Sequence, residues 1–180
     1  MIDERVIVAG FGGQGVMLMG QILSYAATQE DLNTAWIPSY GPETRGGTAN
    51  CSVVISKARI NSPVVSEPDT LIVLNQPSLD KFEKKLKKGG KLLVNKALVD
   101  TEKIRDDVEL YAVDCNKIAL DIGNLKVANM VMLGAYIAMT DMFEKEAIFA
   151  VFDQIFTGAK SKLIDMNKQA LEAGIKAIEA

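Results

Sequence analysis

A strand that ends in glycine and hands over to a helix constrains this chain more than any other feature. Arg5 to Ala9 is a run of β-branched and small apolar residues, the pattern of a strand covered on both faces. Gly10, Gly12 and Gly15 follow in G-x-G-x-x-G spacing, with Gly13 added, and from Val16 the periodicity turns helical. Val16, Met19, Gly20, Leu23, Ala26 and Ala27 share one face of that helix. A turn without side chains at a helix N-terminus presents unpaired N–H groups and the positive end of the helix dipole, which favour an anion, usually a phosphate. A nucleotide-like ligand is the first expectation. The alternative is that the glycines serve only close packing of helix on sheet, because this spacing alone is a weak signal.

Which ligand is a separate matter. A dinucleotide-binding unit places Asp or Glu about 20 residues beyond the loop, where it holds the ribose hydroxyls. Here the second strand, Thr34 to Ile37, runs into Pro38, Ser39 and Tyr40, so the acid is missing and NAD is disfavoured. There is no histidine, and the two cysteines, Cys51 and Cys115, stand far apart in the chain. That count excludes four-cysteine iron–sulfur sets and Cys/His zinc sites, and it removes the commonest general base. Cys51, within the strand-like Asn50 to Ser56, is expected to be a small buried apolar residue.

The segment Ser39 to Thr48, SYGPETRGGT, breaks every periodic pattern and reads as a loop with glycines at both ends. It follows a strand's carboxyl end, so it is expected on the same rim as Gly10 to Gly15, where open α/β sheets bind ligands. Arg45 in this loop has the planar fork that grips phosphate or carboxylate, or it pairs with Glu43 or simply stands in solvent. Further strands are expected at Asn50 to Ile55, Asp69 to Leu74, Lys91 to Val94 and Val108 to Val113, with Arg59-Ile60 pairing back as a hairpin. Pro77-Ser78 start a helix whose outer face is Lys81, Lys84, Lys85, Lys87 and Lys88. The last third reads as helices over Ala119 to Met139, Glu144 to Phe156 and Lys160 to Ala180, the last with Leu163, Met166, Ala170, Ala173 and Ala177 as its seam. The fold class is α/β: a Rossmann-like, doubly wound, mostly parallel but mixed sheet with helices on both faces, in one domain over residues 1–180. A net charge of −3 gives no general attraction to nucleic acid or to an anionic membrane, and no apolar run approaches a membrane span. A cytoplasmic location is expected.

GFGGQGV at Gly10 to Val16, SYGPETRGGTANCSVVIS at Ser39 to Ser56, Ser62-Pro63 and KVANMVMLGAY at Lys126 to Tyr136 together resemble the gamma subunit of 2-oxoacid:ferredoxin oxidoreductases. The similarity is nearest to the short gamma chains of the 2-oxoglutarate enzymes. It implies a heteromeric enzyme, inactive as this chain alone, that converts a 2-oxoacid, here 2-oxoglutarate, to an acyl-coenzyme A and CO2 while reducing ferredoxin. It implies coenzyme A at or near this subunit, with thiamine diphosphate and iron–sulfur clusters only on partner subunits. The partners are alpha and beta subunits, with a delta subunit as a further candidate, and an isolated chain is expected to self-associate as a homodimer. The residues that would meet coenzyme A are Gly10, Gly12, Gly13, Gln14, Gly15, Tyr40, Glu43, Arg45, Gly46 and Gly47. Two readings of other classes stay open: an assembly module with no ligand of its own, and an independent NAD(P)-dependent oxidoreductase.

Overall fold

The computed structural model describes residues 2–42 and 47–180. In chain order the strands are β1 (Asp3–Phe11), β2 (Asn33–Tyr40), β3 (Thr48–Ser56), β4 (Thr70–Val73), β5 (Lys91–Asn95) and β6 (Glu109–Val113). The helices are α1 (Val16–Gln29), α2 (Gln76–Phe82), α3 (Cys115–Ile122), α4 (Ala128–Thr140), α5 (Lys145–Ile155) and α6 (Ile164–Glu179). All the strands join one sheet of order β2-β3-β1-β4-β5-β6. β1 runs parallel to β4, β4 to β5 and β5 to β6, while β3 is antiparallel to both β1 and β2.

Alternation along the buried strands sorts their side chains between two cores. Val6, Val8, Ile72 and Leu93 face the larger one, with Met19, Ile22 and Leu23 of α1 and most of α4. Ile7, Ala9, Leu71, Val73, Leu92 and Val94 face the smaller one, with Leu79 and Phe82 of α2. The helix after β1 and the helix after β4 therefore lie on opposite faces of the sheet. Their divergence opens a crevice between the carboxyl ends of β1 and β4, the place where open α/β sheets take ligands.

α4 is the central helix, buried at every residue from Ala128 to Ile137. It crosses α6 with backbone against backbone: a Cβ added at Gly134 would stand 2.0 Å from the Leu171 carbonyl oxygen, and one at Gly174 would stand 1.9 Å from that of Val131. This contact corrects the expected seam of the last helix. Leu163 is 37% exposed and Ala177 is exposed, while α6 buries Asn167, Ala170, Leu171 and Gly174. The smallest side chain, rather than the most apolar face, sets the line of approach.

Three further expectations are corrected. Ser39 to Thr48 is not wholly loop, because β2 continues through Tyr40 and β3 begins at Thr48. Pro38 does not stop β2, since an edge strand can turn the position lacking an N–H outward. Arg59-Ile60 forms no strand; the hairpin partner of β3 is β2, in the register Ile37 opposite Ser52. The helix expected over Ala119 to Met139 is two, because Gly123 adopts φ 112° as the C-cap of α3 and the Asn124 side chain caps the following 3-10 turn. No helix among the described residues is long and apolar enough to cross a membrane.

Candidate ligand cleft at the glycine turn

β1 ends in a turn whose geometry requires glycine at two positions. Gly13 has φ 91° and Gly15, the N-cap of α1, has φ 78°, both in the left-handed region that L side chains resist. Glycine at the cap supplies no side-chain bond to the first N–H groups of α1. That leaves the start of the helix open to an anion. Gln14 does not point outward. Its Oε1 accepts from the Phe11 N–H at 2.6 Å and from Asn75 Nδ2 at 3.2 Å, pinning the turn to the end of β4. The same oxygen fills the space beside Gly10, where an added Cβ would lie 2.6 Å from it.

Beyond Gln14 a row of side-chain amides follows the carboxyl ends of the parallel strands. Asn75 is buried after β4, and its Oδ1 caps α2 by accepting from the Ser78 N–H at 2.9 Å. Asn95, also buried, accepts from the Ala97 N–H at 3.2 Å and donates to Asn116 Oδ1 at 3.1 Å. Asn129 at the start of α4 donates to the Gly15 carbonyl at 3.4 Å. Of these groups Gln14, Asn95, Asn116 and Asn129, but not Asn75, line a cleft of about 470 Å³, together with Gly13, Leu74, Leu98, Asn124, Leu125, Lys126 and Ala128. Its volume lies in the range of small-molecule sites, roughly 300 to 1,000 Å³.

Charge distinguishes this cleft from two others. Among the described residues its lining holds no carboxylate and one cation, Lys126. A cleft of about 480 Å³ between the C-terminal end of α4, α5 and α6 carries Asp141, Glu144, Glu146, Glu172 and Glu179 against Lys145 and Lys176, so it repels an anion. Another, of about 250 Å³, lies at the amino end of the sheet, where Lys87, Lys88 and Lys91 stand with Asp69 and Glu4, whose half-buried carboxyl is pushed above its ordinary range by desolvation and takes a 2.6 Å bond from Thr70. Of these three clefts, the one at the glycine turn has no carboxylate among its described lining residues and adjoins a helix N-terminus capped by glycine.

The proposed contact residues occupy two sides of this turn. Gly13 and Gln14 line the cleft; Gly15 does not, but its carbonyl accepts from Asn129, which does. Gly12 is exposed, and its N–H donates to the Gly47 carbonyl at 2.9 Å, tying the glycine turn to the loop between β2 and β3. Tyr40 is 72% exposed at the end of β2, opposite Ala49, which in turn lies opposite Gly10. Tyr40 and Gly47 thus share the rim but are not in the cleft's lining. Glu43, Arg45 and Gly46 lie outside the described residues. Sequence reasoning passed over Asn75, Asn95, Asn116, Asn124 and Asn129. The readable signal was an Asn directly after two buried strand runs, TLIVLN and KLLVN.

Neither cysteine contributes chemistry here. Cys51 and Cys115 are free and fully buried, and burial pushes their thiols up to about 11 and about 12. At pH 8 both are protonated and covered, so a disulfide-exchange reagent is expected to titrate no thiol until denaturant is added. Rapid reaction of either thiol in the native chain would contradict this packing. Among the described residues, no group of three or more His, Cys, Asp or Glu side chains is placed to hold a metal ion.

A glycine turn at the head of α1 and a crevice where the helices diverge define an α/β protein of the doubly wound class. The comparisons sharpen this: the chain belongs to the pyruvate ferredoxin/flavodoxin oxidoreductase family, whose model matches residues 5–177. It is 40% identical over 163 residues to 2-oxoglutarate synthase subunit KorC of Methanocaldococcus jannaschii, covering 88% of this chain and 87% of that one. It is 43% identical over 172 residues to ketoisovalerate oxidoreductase subunit VorA of Methanothermobacter marburgensis, covering 96% of this chain but only 36% of that relative's length. The gamma subunit of a keto/oxoacid ferredoxin oxidoreductase from Geobacter sulfurreducens has the same fold, with a TM-score of 0.83 and 33% identity over 98% of each chain.

Proposed function

We propose that this chain is the gamma subunit of a heteromeric 2-oxoacid:ferredoxin oxidoreductase and that it handles coenzyme A during oxidative decarboxylation of the oxoacid. The observation that carries the reading is a cleft with no carboxylate among its described lining residues, beside a helix N-terminus capped by glycine, a seat for a phosphorylated ligand in a chain without histidine and, among its described residues, without a metal-ligating cluster. Decarboxylation and electron transfer then belong to alpha and beta subunits that carry thiamine diphosphate and iron–sulfur clusters. Acyl transfer needs coenzyme A delivered to them. The oxoacid to test first is 2-oxoglutarate, supported by the KorC relative, which is matched nearly end to end. Ketoisovalerate is the comparison, supported by the VorA relative.

The test uses the complex of this chain with its partner subunits and follows acceptor reduction against coenzyme A and oxoacid concentration. Gly12→Val is expected to keep the fold, because among the described residues an added Cβ meets only the Gly47 carbonyl at 3.8 Å, yet it places a branched side chain on the exposed turn. It is expected to raise the KM for coenzyme A about tenfold and leave that for the oxoacid unchanged. Arg45→Ala removes a charge-assisted phosphate contact of about 1.5 to 3 kcal/mol, roughly ten- to hundredfold in apparent affinity. Arg45→Lys restores part of that loss, because an ammonium lacks the two-pronged geometry. Normal coenzyme A kinetics in both folded variants, with loss of partner co-purification, would replace this reading with that of an assembly module.

A further inference from the structure

We infer that the amino end of the sheet, opposite the glycine turn, is a self-complementary surface through which two copies of this chain pair about a two-fold axis, the basic lobe of one seated in the acidic cleft of the other. The inference is independent of the coenzyme A reading. Its basis is the turn that follows α4. Thr140 and Met142 line a cleft with Lys87, Lys88 and Lys91, whereas Asp141 and Phe143 line the cleft that holds Glu144, Glu146, Glu172 and Glu179. Alternate residues of one short turn thus divide two patches of opposite sign at the same end of the molecule.

The acidic side has the character of a lysine receptor. Its cleft of about 480 Å³ sets the carboxylates around an apolar wall that includes Ile137 and Ile175, so an incoming lysine can lay its methylenes on that wall and its ammonium among the acids. Lys145 is already paired with Glu172 at 2.9 Å, and no ion pair reaches Asp141, Glu144, Glu146 or Glu179 among the described residues. α4 and α6 both end here, and the negative ends of their dipoles outweigh the positive end of α5. The basic side is the 3-10 turn after α2 and the loop into β5, where Lys84, Lys85, Lys87 and Lys88 are exposed. Lys87 is held by Asp69, and Lys85 lies over the Phe82 ring at 5.4 Å. Lys84 and Lys88 have no carboxylate partner among the described residues.

A partner of single sign would suit one patch and be repelled by the other. A second copy suits both, because a two-fold axis puts each lobe on the opposite cleft in two identical contacts and leaves neither patch open to a third chain. Exposed ion pairs are individually weak, so the pair is held by several of them and is sensitive to salt.

Sedimentation velocity of the full chain tests this. A dimer is expected at about 20 mM salt, with a dissociation constant that rises about tenfold at about 300 mM. Lys84→Glu with Lys88→Glu, and in a separate chain Glu146→Lys with Glu179→Lys, change exposed side chains only. Each pair of reversals is expected to raise the dissociation constant at least about tenfold at low salt. Mixed in equal amounts, the two variant chains are expected to recover the parent affinity as a heterodimer: the reversed lobe meets the reversed cleft at one contact, and the parent lobe meets the parent cleft at the other. If a reversed chain fails to fold, neutral Lys84→Gln with Lys88→Gln takes its place and is expected to weaken the dimer in the same direction. A parent chain that is monomeric at low salt, a dimer indifferent to salt and to both sets of reversals, or variant chains that stay apart when mixed overturns the proposal. Polymers that lengthen with concentration overturn the two-fold closure it requires.

Discussion

Gly134→Val is expected to cost more than about 4 kcal/mol, enough to remove most of the stability of an ordinary domain. The reason is the crossing of α4 and α6, where a Cβ at Gly134 would lie 2.0 Å from the Leu171 carbonyl oxygen and 3.1 Å from the Ile175 nitrogen. The obstacle is backbone on a packed helix, so no rotamer change relieves it. Relief would need the helices to separate, and α4 is buried along nearly its whole length, so separation would open the larger core. Gly174→Ala tests the same contact from the other side, with its Cβ 1.9 Å from the Val131 carbonyl oxygen. Alanine is the better helix former by about 1 kcal/mol, yet overpacking should win with a net loss of about 2 to 3 kcal/mol. Urea unfolding of both variants, with exposed Ala177→Gly as a propensity control, checks this. A Gly174→Ala chain as stable as its parent would mean that the helices are not in this contact.

The second large effect is expected at Gly15. Gly15→Val places a β-branched residue at φ 78° and its Cβ 2.3 Å from Asn129 Nδ2. Backbone strain of this kind costs on the order of 1 to 3 kcal/mol, and displacing a buried amide adds to it, so a loss of about 3 kcal/mol is expected in thermal or urea unfolding. Asn129 is a side chain and can swing aside, which is why the loss falls short of that at Gly134. The swing would remove the bond that orients Asn129 and change the cleft, so binding should suffer even in the folded fraction. By contrast, Gly12→Val should stay within about 0.5 kcal/mol of the parent, because its backbone and surroundings accept a side chain. Equal stability of the Gly12 and Gly15 variants would contradict the turn described here.

Periodicity made the parallel half of the sheet legible. The runs at Val6 to Ala9, Leu71 to Leu74 and Leu92 to Val94 are apolar because they are covered on both faces, and nothing in tertiary packing competes with that pattern. The edge was harder to read. Pro38, Ser39 and Tyr40 have the composition of a loop, yet pairing to Cys51, Asn50 and Ala49 holds them as strand. Gly123-Asn124 was a readable stop that the strongly apolar stretch after it obscured. In the site, the glycine turn was visible because its conformation demands a rare residue. The asparagines were not, since an amide carries the same letter whether it caps a helix, as Asn75 does, or faces a cleft, as Asn129 does. Gly174 stayed hidden for a related reason: its role lies in what another helix brings to it, and helical periodicity scores it as weakly apolar.

The proline within β2 bears on how this chain behaves beside its own copies. An edge strand is a template for another strand, and this one ends with Ile37 at 37% and Tyr40 at 72% exposure, surface that would reward an incoming chain. At Pro38 that chain would meet a ring where it needs an N–H, so a continuous ladder along β2 is interrupted in its second half. The protein can thus keep exposed apolar surface at the end of β2 without inviting fibrous growth through the sheet. Association that does occur has to be made through faces and side chains, the kind of contact that can be specific.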